Sequence, residues 1–269
     1  MAPGLDLSVL AREVQSHNDT TAPKDNVTVD AVEIDASIDD EKGTYVLDPA
    51  SITQDFDELR FERAASRQLD DQSISKTENT TTLPLRSTQL ISSPYNNPGH
   101  YLDLSTLDIP NLIFAKALTA LKPLDPNYAT APYIASLDFP TVLSLVRLLS
   151  QQLNHTWKST TFYVVIFRSK LKADIDNDLL YKLDYESHRE ACESGGLLKY
   201  WFGKPNEERR NLATCFWRSR EDAYQGGLGP WHKKARAAGR TLYESITFST
   251  HRFTVTDGAA EIKFEDWID

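Results

Sequence analysis

Cysteine is scarce in this chain, with two residues, Cys192 and Cys215, among 269. Two cysteines cannot form a disulfide framework, and both stand in apolar runs, where free cysteine behaves as a small buried hydrophobe. No apolar run approaches the roughly 18 residues that would span a bilayer. The first fifteen residues lack the basic start and apolar run of a secretory signal and are too acidic for a mitochondrial presequence. We therefore expect a cytoplasmic or nucleocytoplasmic protein that contacts no membrane.

Basic residues are few in the first 100 positions, which hold 18 acidic and 8 basic side chains and so carry the whole net charge of −10. The rest of the chain is neutral and lacks the basic face that nucleic-acid binding requires, so no nucleic-acid partner is expected. Residues 1–98 also contain too little apolar surface to offset the entropy of ordering. They are predicted to form a mostly disordered acidic tail. Two short islands in it, residues 27–34 and 55–69, are candidates for docking on the folded part or on a partner.

Signature motifs of several enzyme classes are missing. No Cys/His spacing suits zinc, and there is neither an HExxH motif nor a cluster of carboxylates, so no metal site is expected. The GxSxG elbow of serine hydrolases and the dinucleotide and nucleotide fingerprints are absent as well.

Residues 99–156 have the pattern of a helical cover segment. Asp108-Ile-Pro110 and Asp138-Phe-Pro140 each place a capping aspartate just ahead of a proline in the first turn. After the second, apolar residues recur at helical spacing from position 142 to 153. Such a stripe is typical of a packing surface, so we expect these helices to cover the C-terminal domain.

Residues 157–269 alternate between strand and helix patterns. The predicted elements in order are strand 161–167, helix 176–194, strands 197–203 and 212–218, helix 220–243 interrupted by glycines at 226–229, strand 248–255 and strand 261–267. The order β-α-β-β-α-β predicts an α+β fold of the ferredoxin-like type, an antiparallel sheet with two helices on one face. The other face also carries large apolar groups. A second copy of the sheet would cover it in a dimeric barrel, and the upstream helices are the competing cover; we favour the homodimer.

The strings YLDLSTLDIPN, YATAPYI from Tyr128, HTWKSTTFYVVIFRS, SGGLLKYWFG, and RNLATCFWRSREDA followed by GPWHKKA resemble a fungal family of uncharacterised proteins. The resemblance covers about 170 residues, from Tyr101 to the C-terminus. The resemblance implies that this chain shares the fold of that family, and it gives no information about an activity.

WRSREDA from residue 217, followed by PWH from residue 230, is similar to the strand-to-helix passage of the dimeric α+β barrel superfamily. That superfamily includes antibiotic-biosynthesis and haem-degrading monooxygenases. In it a tryptophan ends the third strand, a polar turn starts the second helix, and a histidine sits on that helix. The resemblance implies monooxygenase-like chemistry without a bound cofactor, with haem ligation by His232 as a subsidiary form. The inserted glycines at 226–229 leave the orientation of His232 open.

Two histidines are the candidate catalytic residues. His188 lies near the middle of the apolar arc of the helix predicted over residues 176–194. It faces the sheet, where an imidazole suits proton transfer. The alternative is a core histidine bonded to a tyrosine hydroxyl or a carbonyl. His232 begins the second helix, whose positive dipole end lowers an imidazole pKa and favours the neutral form. The alternative is a half-exposed surface histidine.

Aromatic residues on adjacent strands and arginines at strand ends form the candidate substrate-binding set: Tyr163, Arg168, Tyr200, Trp201, Trp217 and Arg218. Besides a large apolar ring, tyrosine and tryptophan each carry a polar O–H or N–H group that needs a hydrogen-bond partner. Such residues are nevertheless more often simple core packing than part of a binding site. The arginines can grip a carboxylate or enolate. The glycines at 226–229 resemble an anion-binding loop but match no phosphate signature, and a lid or bent helix is the simpler reading.

These patterns favour a small-molecule enzyme: an acid/base-assisted oxygenase, isomerase or cyclase acting without a cofactor on an apolar or aromatic metabolite. The alternative is a non-catalytic binding or scaffold module with an acidic tail.

Overall fold

The computed structural model describes residues 86–95 and 98–268, together with the three short strands at 27–30, 46–47 and 68–70. Most of the predicted acidic tail, including nearly all of the island at residues 55–69, lies outside the described residues. Within the described part, no helix has the length and apolar character needed to cross a membrane.

Ten strands and six α-helices make up the described part of the chain. The strands are β1 (Val27–Asp30), β2 (Val46–Leu47), β3 (Gln68–Asp70), β4 (Arg86–Ile91), β5 (Tyr101–Asp103), β6 (Thr160–Leu171), β7 (Leu197–Phe202), β8 (Arg210–Trp217), β9 (Tyr243–Val255) and β10 (Glu261–Asp266). The helices are α1 (Ile109–Ala117), α2 (Tyr133–Ser136), α3 (Phe139–Gln152), α4 (Asn177–Ser194), α5 (Arg220–Gly226) and α6 (Pro230–Leu242).

A six-stranded sheet in the order β1-β10-β9-β6-β8-β7 organises the molecule. Its four strands β9, β6, β8 and β7 pair antiparallel and are connected as β6-α4-β7-β8-α5-α6-β9. This confirms the predicted ferredoxin-like fold. The predicted fifth strand is β10, which pairs with β9, and the first residues of the island at 27–34 form β1 beside β10. Strands β2 to β5 form a second, smaller sheet.

Side chains that cap helix starts explain where the helices begin. Asp108 and Asp138 each accept a hydrogen bond at 3.2 Å from the backbone N–H three residues further on, as predicted for α1 and α3. Ser219 caps α5 in the same way at 3.1 Å. The helix predicted over residues 220–243 divides at its glycines into α5 and α6.

The six-stranded sheet has two different faces, because successive residues of a strand point to opposite sides. The apolar face carries aromatic and aliphatic side chains such as Phe162 and Phe216 and packs against the upstream helices α1 and α3. The polar face carries Tyr163, Tyr200 and Trp217 and lies under the layer that contains α4, α5 and α6.

The sequence left two possible covers for the apolar face, a second copy of the sheet and the upstream helices. In the structure the upstream helices cover it. Phe114 of α1 stacks on Phe162 with ring centroids 3.8 Å apart, and both are buried. A dimeric barrel closed through this face is therefore not compatible with the fold, since the chain's own helices occupy the surface. A homodimer through another surface stays a prediction. Leu90, Ile91 and Tyr95 are also buried, so packing already begins before residue 98.

Candidate functional site

A cleft of about 410 Å³ lies between the C-terminal half of α4 and the start of α6. Its lining is mostly polar and small: Arg189, Glu190, Glu193, Ser194, Gln225, Gly226, Gly229, Pro230 and Trp231.

Glu190 joins α4 to the first turn of α6. Its carboxylate accepts hydrogen bonds from the backbone N–H groups of Trp231 at 2.7 Å and His232 at 3.1 Å. Helix α6 has no capping side chain of its own at Gly229, so Glu190 supplies the negative charge at this helix end. A Cβ at Gly229 would lie 2.2 Å from Glu190 Oε2, so glycine is needed for the carboxylate to approach. The anion site suggested by the glycine segment is thus filled by the chain's own carboxylate.

His232 is paired with the same carboxylate. Its Nδ1 lies 3.0 Å from Glu190 Oε2, and its side chain keeps 25% exposure. Burial lowers the pKa of His232, and the hydrogen bond and charge of Glu190 oppose part of that effect. The lowered pKa agrees with the direction predicted from the sequence, although burial is the main cause. Burial alone would raise the pKa of Glu190, but hydrogen bonds from the Trp231 N–H and from His232 bring it below its ordinary value.

His188 points to the polar face, as the helical pattern predicted, and is 4% exposed. Its partner is a second histidine, because the Nδ1 atoms of His188 and His100 lie 2.8 Å apart and the two rings are stacked within 5° of parallel. One imidazole must donate and the other accept in this contact. Burial and the charge of Arg189 lower the pKa of His100 to about 4. Burial, then His100 and His232, lower that of His188. Both are therefore neutral at neutral pH.

Tyr200 is buried beside this pair. Its ring is stacked on that of His188, with centroids 5.3 Å apart, and its hydroxyl donates to Asp184 Oδ1 at 2.6 Å. Tyr95 donates its hydroxyl to the other oxygen of the same carboxylate. Burial and the charge of Asp184 raise the pKa of Tyr200. The hydroxyl of Tyr200, which was predicted to need a hydrogen-bond partner, donates to Asp184.

Arg168 and Trp201 lie on the other side of the sheet. The guanidinium of Arg168 donates to the carbonyl oxygens of residues 128, 129 and 131 at 2.6 to 3.1 Å, so it fixes the segment before α2. Trp201 is fully buried in the apolar face. Neighbours in a strand point to opposite faces, so Tyr200 and Trp201 belong to different sides of the sheet. Their roles in substrate binding stay predictions.

The other three members of the predicted set lie on or beside the polar face. Tyr163 and Trp217 are buried there, Tyr163 edge-on to Trp267 at 5.0 Å. Arg218 forms two hydrogen bonds with Asp222, at 3.0 and 2.7 Å. This ion pair occupies the guanidinium that was expected to grip a substrate. Their roles in binding stay predictions.

The space between the sheet and α4 is filled, because the rings of Tyr95 and His100 insert there against His188. A haem group needs a flat apolar slot, whereas the cleft near His232 is lined by Arg189, Glu190 and Glu193. The residues present do not fit haem. Among the described residues, no three His, Cys, Asp or Glu side chains are placed to hold a metal ion.

Sequence reasoning missed four residues of this region: Tyr95, His100, Asp184 and Glu190. Asp184 was within reach, because it lies one helical turn before His188 on the same inward stripe. Tyr95 and His100 are 88 or 89 residues from their partners, and no local pattern marks such contacts.

The strand order and the helices over the polar face define a ferredoxin-like α+β protein with an added upstream helical layer. Within that class the chain belongs to the PB2B2.08-like family, whose model matches residues 91–266. It is 35% identical over 181 residues to UPF0643 protein PB2B2.08 of Schizosaccharomyces pombe, an alignment that covers 65% of this chain and 82% of that protein. The resemblance to a fungal family is confirmed.

Solved structures are similar to this chain over about a third of its length. Rv0793 from Mycobacterium tuberculosis is 18% identical, with 33% of this chain and 91% of that chain covered and a TM-score of 0.30. SnoaB, a cofactor-independent oxygenase from Streptomyces nogalater, is 8% identical, with 34% and 90% covered and a TM-score of 0.28. Likeness at this level carries no conclusion about activity.

Proposed function

We propose that this chain is a small-molecule acid–base enzyme in which His232 moves a proton and Glu190 orients its imidazole. The observation that supports the proposal is the 3.0 Å contact between His232 Nδ1 and Oε2 of Glu190, a residue that lines the cleft of about 410 Å³. A carboxylate can only accept in this contact, so the proton of the neutral imidazole resides on Nδ1 and Nε2 is the basic atom.

The reaction class is proton abstraction next to a carbonyl or similar activating group. This is the first step of an isomerisation, a cyclisation or a cofactor-free oxygenation, and a positioned base contributes on the order of 10² to 10⁴ in rate. Arg189 is paired with Glu186 at 2.7 Å, so the cleft does not present an unpaired cation to an anionic substrate. The proposed substrate is a small uncharged metabolite whose aromatic ring lies against Trp231 in the cleft lining.

Deuterium incorporation from D₂O into small aromatic ketones, followed by NMR, tests the proposal without knowledge of the product. Exchange catalysed by the unaltered chain should fall at least 100-fold in His232→Gln. Glu190→Gln should cost about tenfold, as expected for a residue that positions a base. It should also move the acid limb of the pH profile to lower pH, because Glu190 raises the His232 pKa against the effect of burial.

Lys233→Ala is the matched control, since Lys233 is an exposed neighbour on the same helix and should leave the exchange rate unchanged. Ketones that bind, as seen by saturation-transfer NMR, but do not exchange would indicate the non-catalytic binding module instead. Exchange that survives His232→Gln would refute the role of His232.

A further inference from the structure

Ser249, His251 and Asp266 form a polar cluster at the edge of the apolar face. Ser249 and His251 are two residues apart in β9, and Asp266 lies opposite His251 in the β9–β10 pair, so the three side chains point to the same side. The His251 ring stacks on that of Phe264, a residue of the apolar face, with centroids 4.4 Å apart. The sheet therefore separates this cluster from the cleft beside Glu190.

The imidazole of His251 stands between a hydroxyl and a carboxylate. Its Nε2 lies 2.8 Å from Ser249 Oγ, and its Nδ1 lies 3.2 Å from Asp266 Oδ1. The second contact is one of charge, because it lacks the alignment of a hydrogen bond. A carboxylate cannot donate, so it favours the ring proton on Nδ1 and leaves Nε2 to accept from the serine hydroxyl.

The hydroxyl is open to solvent and the imidazole is shielded. Ser249 is exposed, whereas the His251 side chain keeps 11% exposure. A reachable hydroxyl bonded to an imidazole that a third group orients is the arrangement of a serine nucleophile with its base. Such triads are recognised by geometry and occur on unrelated folds, so the missing GxSxG elbow does not exclude one here.

Strand β9 has an open edge beside Ser249. Strand β10 pairs with β9 as far as His251, the Trp267 N–H then donates to the Thr250 carbonyl at 2.9 Å, and among the described strands none continues along this edge. Backbone groups of alternate residues point to the same side of a strand, so the Phe248 N–H faces this edge as the Thr250 carbonyl does. An ester carbonyl placed here can accept from that N–H, which stabilises the negative charge developing on its oxygen.

We infer that Ser249, His251 and Asp266 form a hydrolytic site for small carboxylic esters. Ser249 Oγ bonds to the carbonyl carbon while its proton passes to His251 Nε2. The bond between that carbon and the leaving oxygen then breaks, and the alcohol leaves with the proton from Nε2. Water, deprotonated by Nε2, cleaves the acyl-serine, which releases the acid and restores the hydroxyl.

Asp266 touches no reacting atom in this scheme and is a positioning residue. The substrates are small, because the serine stands at an exposed strand edge where few atoms of a ligand contact the protein. The inference does not depend on the proposed function, since the two sites share no residue.

Hydrolysis of p-nitrophenyl acetate by the full chain tests the inference. Ser249→Ala and His251→Gln should each lower the rate by about 100-fold, the lower end of what a positioned base contributes. Ser245→Ala is the matched control and should leave the rate unchanged. Ser245 lies on the same face of β9, six residues or roughly 20 Å from His251 along the extended strand. An unchanged rate in Ser249→Ala would overturn the inference.

Asp266→Asn measures the positioning role. It should lower kcat by about threefold with KM unchanged, a small effect because the carboxylate is 65% exposed and water screens its charge. A higher KM at unchanged kcat would contradict this role.

Covalent labelling identifies the nucleophile directly. A fluorophosphonate should modify Ser249 in the unaltered chain, as mapped by mass spectrometry, and His251→Gln should slow this by at least tenfold. Labelling that is as fast at Ser245, or that persists without His251, would overturn the inference. If His251→Gln does not fold, iodoacetamide decides: Ser249→Cys should be alkylated at least tenfold faster than Ser245→Cys, since the imidazole stabilises the thiolate. Equal rates would contradict the inference.

The two sites fail separately. His232→Gln should leave fluorophosphonate labelling of Ser249 unchanged, and Ser249→Ala should leave deuterium exchange into ketones unchanged. Loss of labelling in His232→Gln would show that the Ser249 cluster is not an independent site.

Discussion

The two faces of the six-stranded sheet hold very different side chains. On the apolar face, Phe114, Phe162, Phe216 and Phe253 form one aromatic cluster beneath helices that precede the sheet in the chain. On the polar face, imidazoles, phenols and a carboxylate are packed beneath α4 and its neighbours. Buried polar groups cost stability and are tolerated where the rest of the fold compensates. The comparison indicates that the apolar face supplies most of the stability. The polar face can therefore carry side chains that titrate or form hydrogen bonds.

Of the substitutions considered, Phe114→Ala should change the free energy of unfolding most. Phe114 is fully buried and lies 3.8 Å from Phe162, centroid to centroid. Removing its ring should lower the free energy of unfolding by about 3 to 5 kcal/mol, through lost burial and the cavity left behind. Urea denaturation measures this, with Phe114→Leu as the milder control. A loss below about 1 kcal/mol would contradict the stabilising role of the apolar face.

Lys199→Met should stabilise the protein. Lys199 lies opposite Phe216 in the β7–β8 pair, is 2% exposed, and has its pKa lowered by burial from 10.5 to about 7. The unfolded chain binds more protons between pH 7 and 10.5, so the lysine's penalty is complete below pH 7 and disappears toward pH 10.5. Methionine should therefore add roughly 2 to 3 kcal/mol at pH 6 and almost nothing at pH 10.5. Unfolding at the two pH values measures the difference; equal gains at both would show that the amine's charge is not the cause.

The polar face should lose stability on acidification. The pKa values of His100, about 4, and of His188 both lie below the ordinary 6.5. Below pH 6.5 the unfolded chain therefore takes up protons that the folded chain refuses, with Arg189 adding to the repulsion. The free energy of unfolding should be constant well above pH 6.5 and fall by on the order of 3 kcal/mol by pH 5, about half from each histidine. Denaturation near neutral pH and at about pH 5 measures this, and His188→Gln should remove about half of the dependence, because His100 keeps a lowered pKa of its own. A flat curve for the unaltered chain would mean that the imidazole pair is accessible to protons.

Much of the fold could be predicted because its signals are local. The β-branched and aromatic run in β6 indicates a strand covered on both sides. The aspartates before α1 and α3 and the glycines between α5 and α6 mark helix boundaries in the sequence itself. The choice of upstream helices over a second copy as the cover of the apolar face had no such signal, since either would bury the same phenylalanines.

The candidate site was only partly predictable for the same reason. The inward direction of His188 follows from helical geometry. Its contact with His100 joins residues 88 positions apart, and the contact of Glu190 with α6 depends on how two helices pack. The roles of Arg168 and Arg218 depended on which acceptors the tertiary structure would bring to them. Backbone carbonyls bind the first and Asp222 binds the second.

The three carbonyls held by Arg168 belong to the layer upstream of residue 157, so one guanidinium fastens that layer to the sheet. We therefore expect residues 157–269 to depend on that layer for their fold. Recombination that moved them into another protein without the preceding layer would deliver a sheet with a bare aromatic side, prone to self-association. The smallest part of the chain that we expect to fold in this way includes both the upstream layer and the sheet.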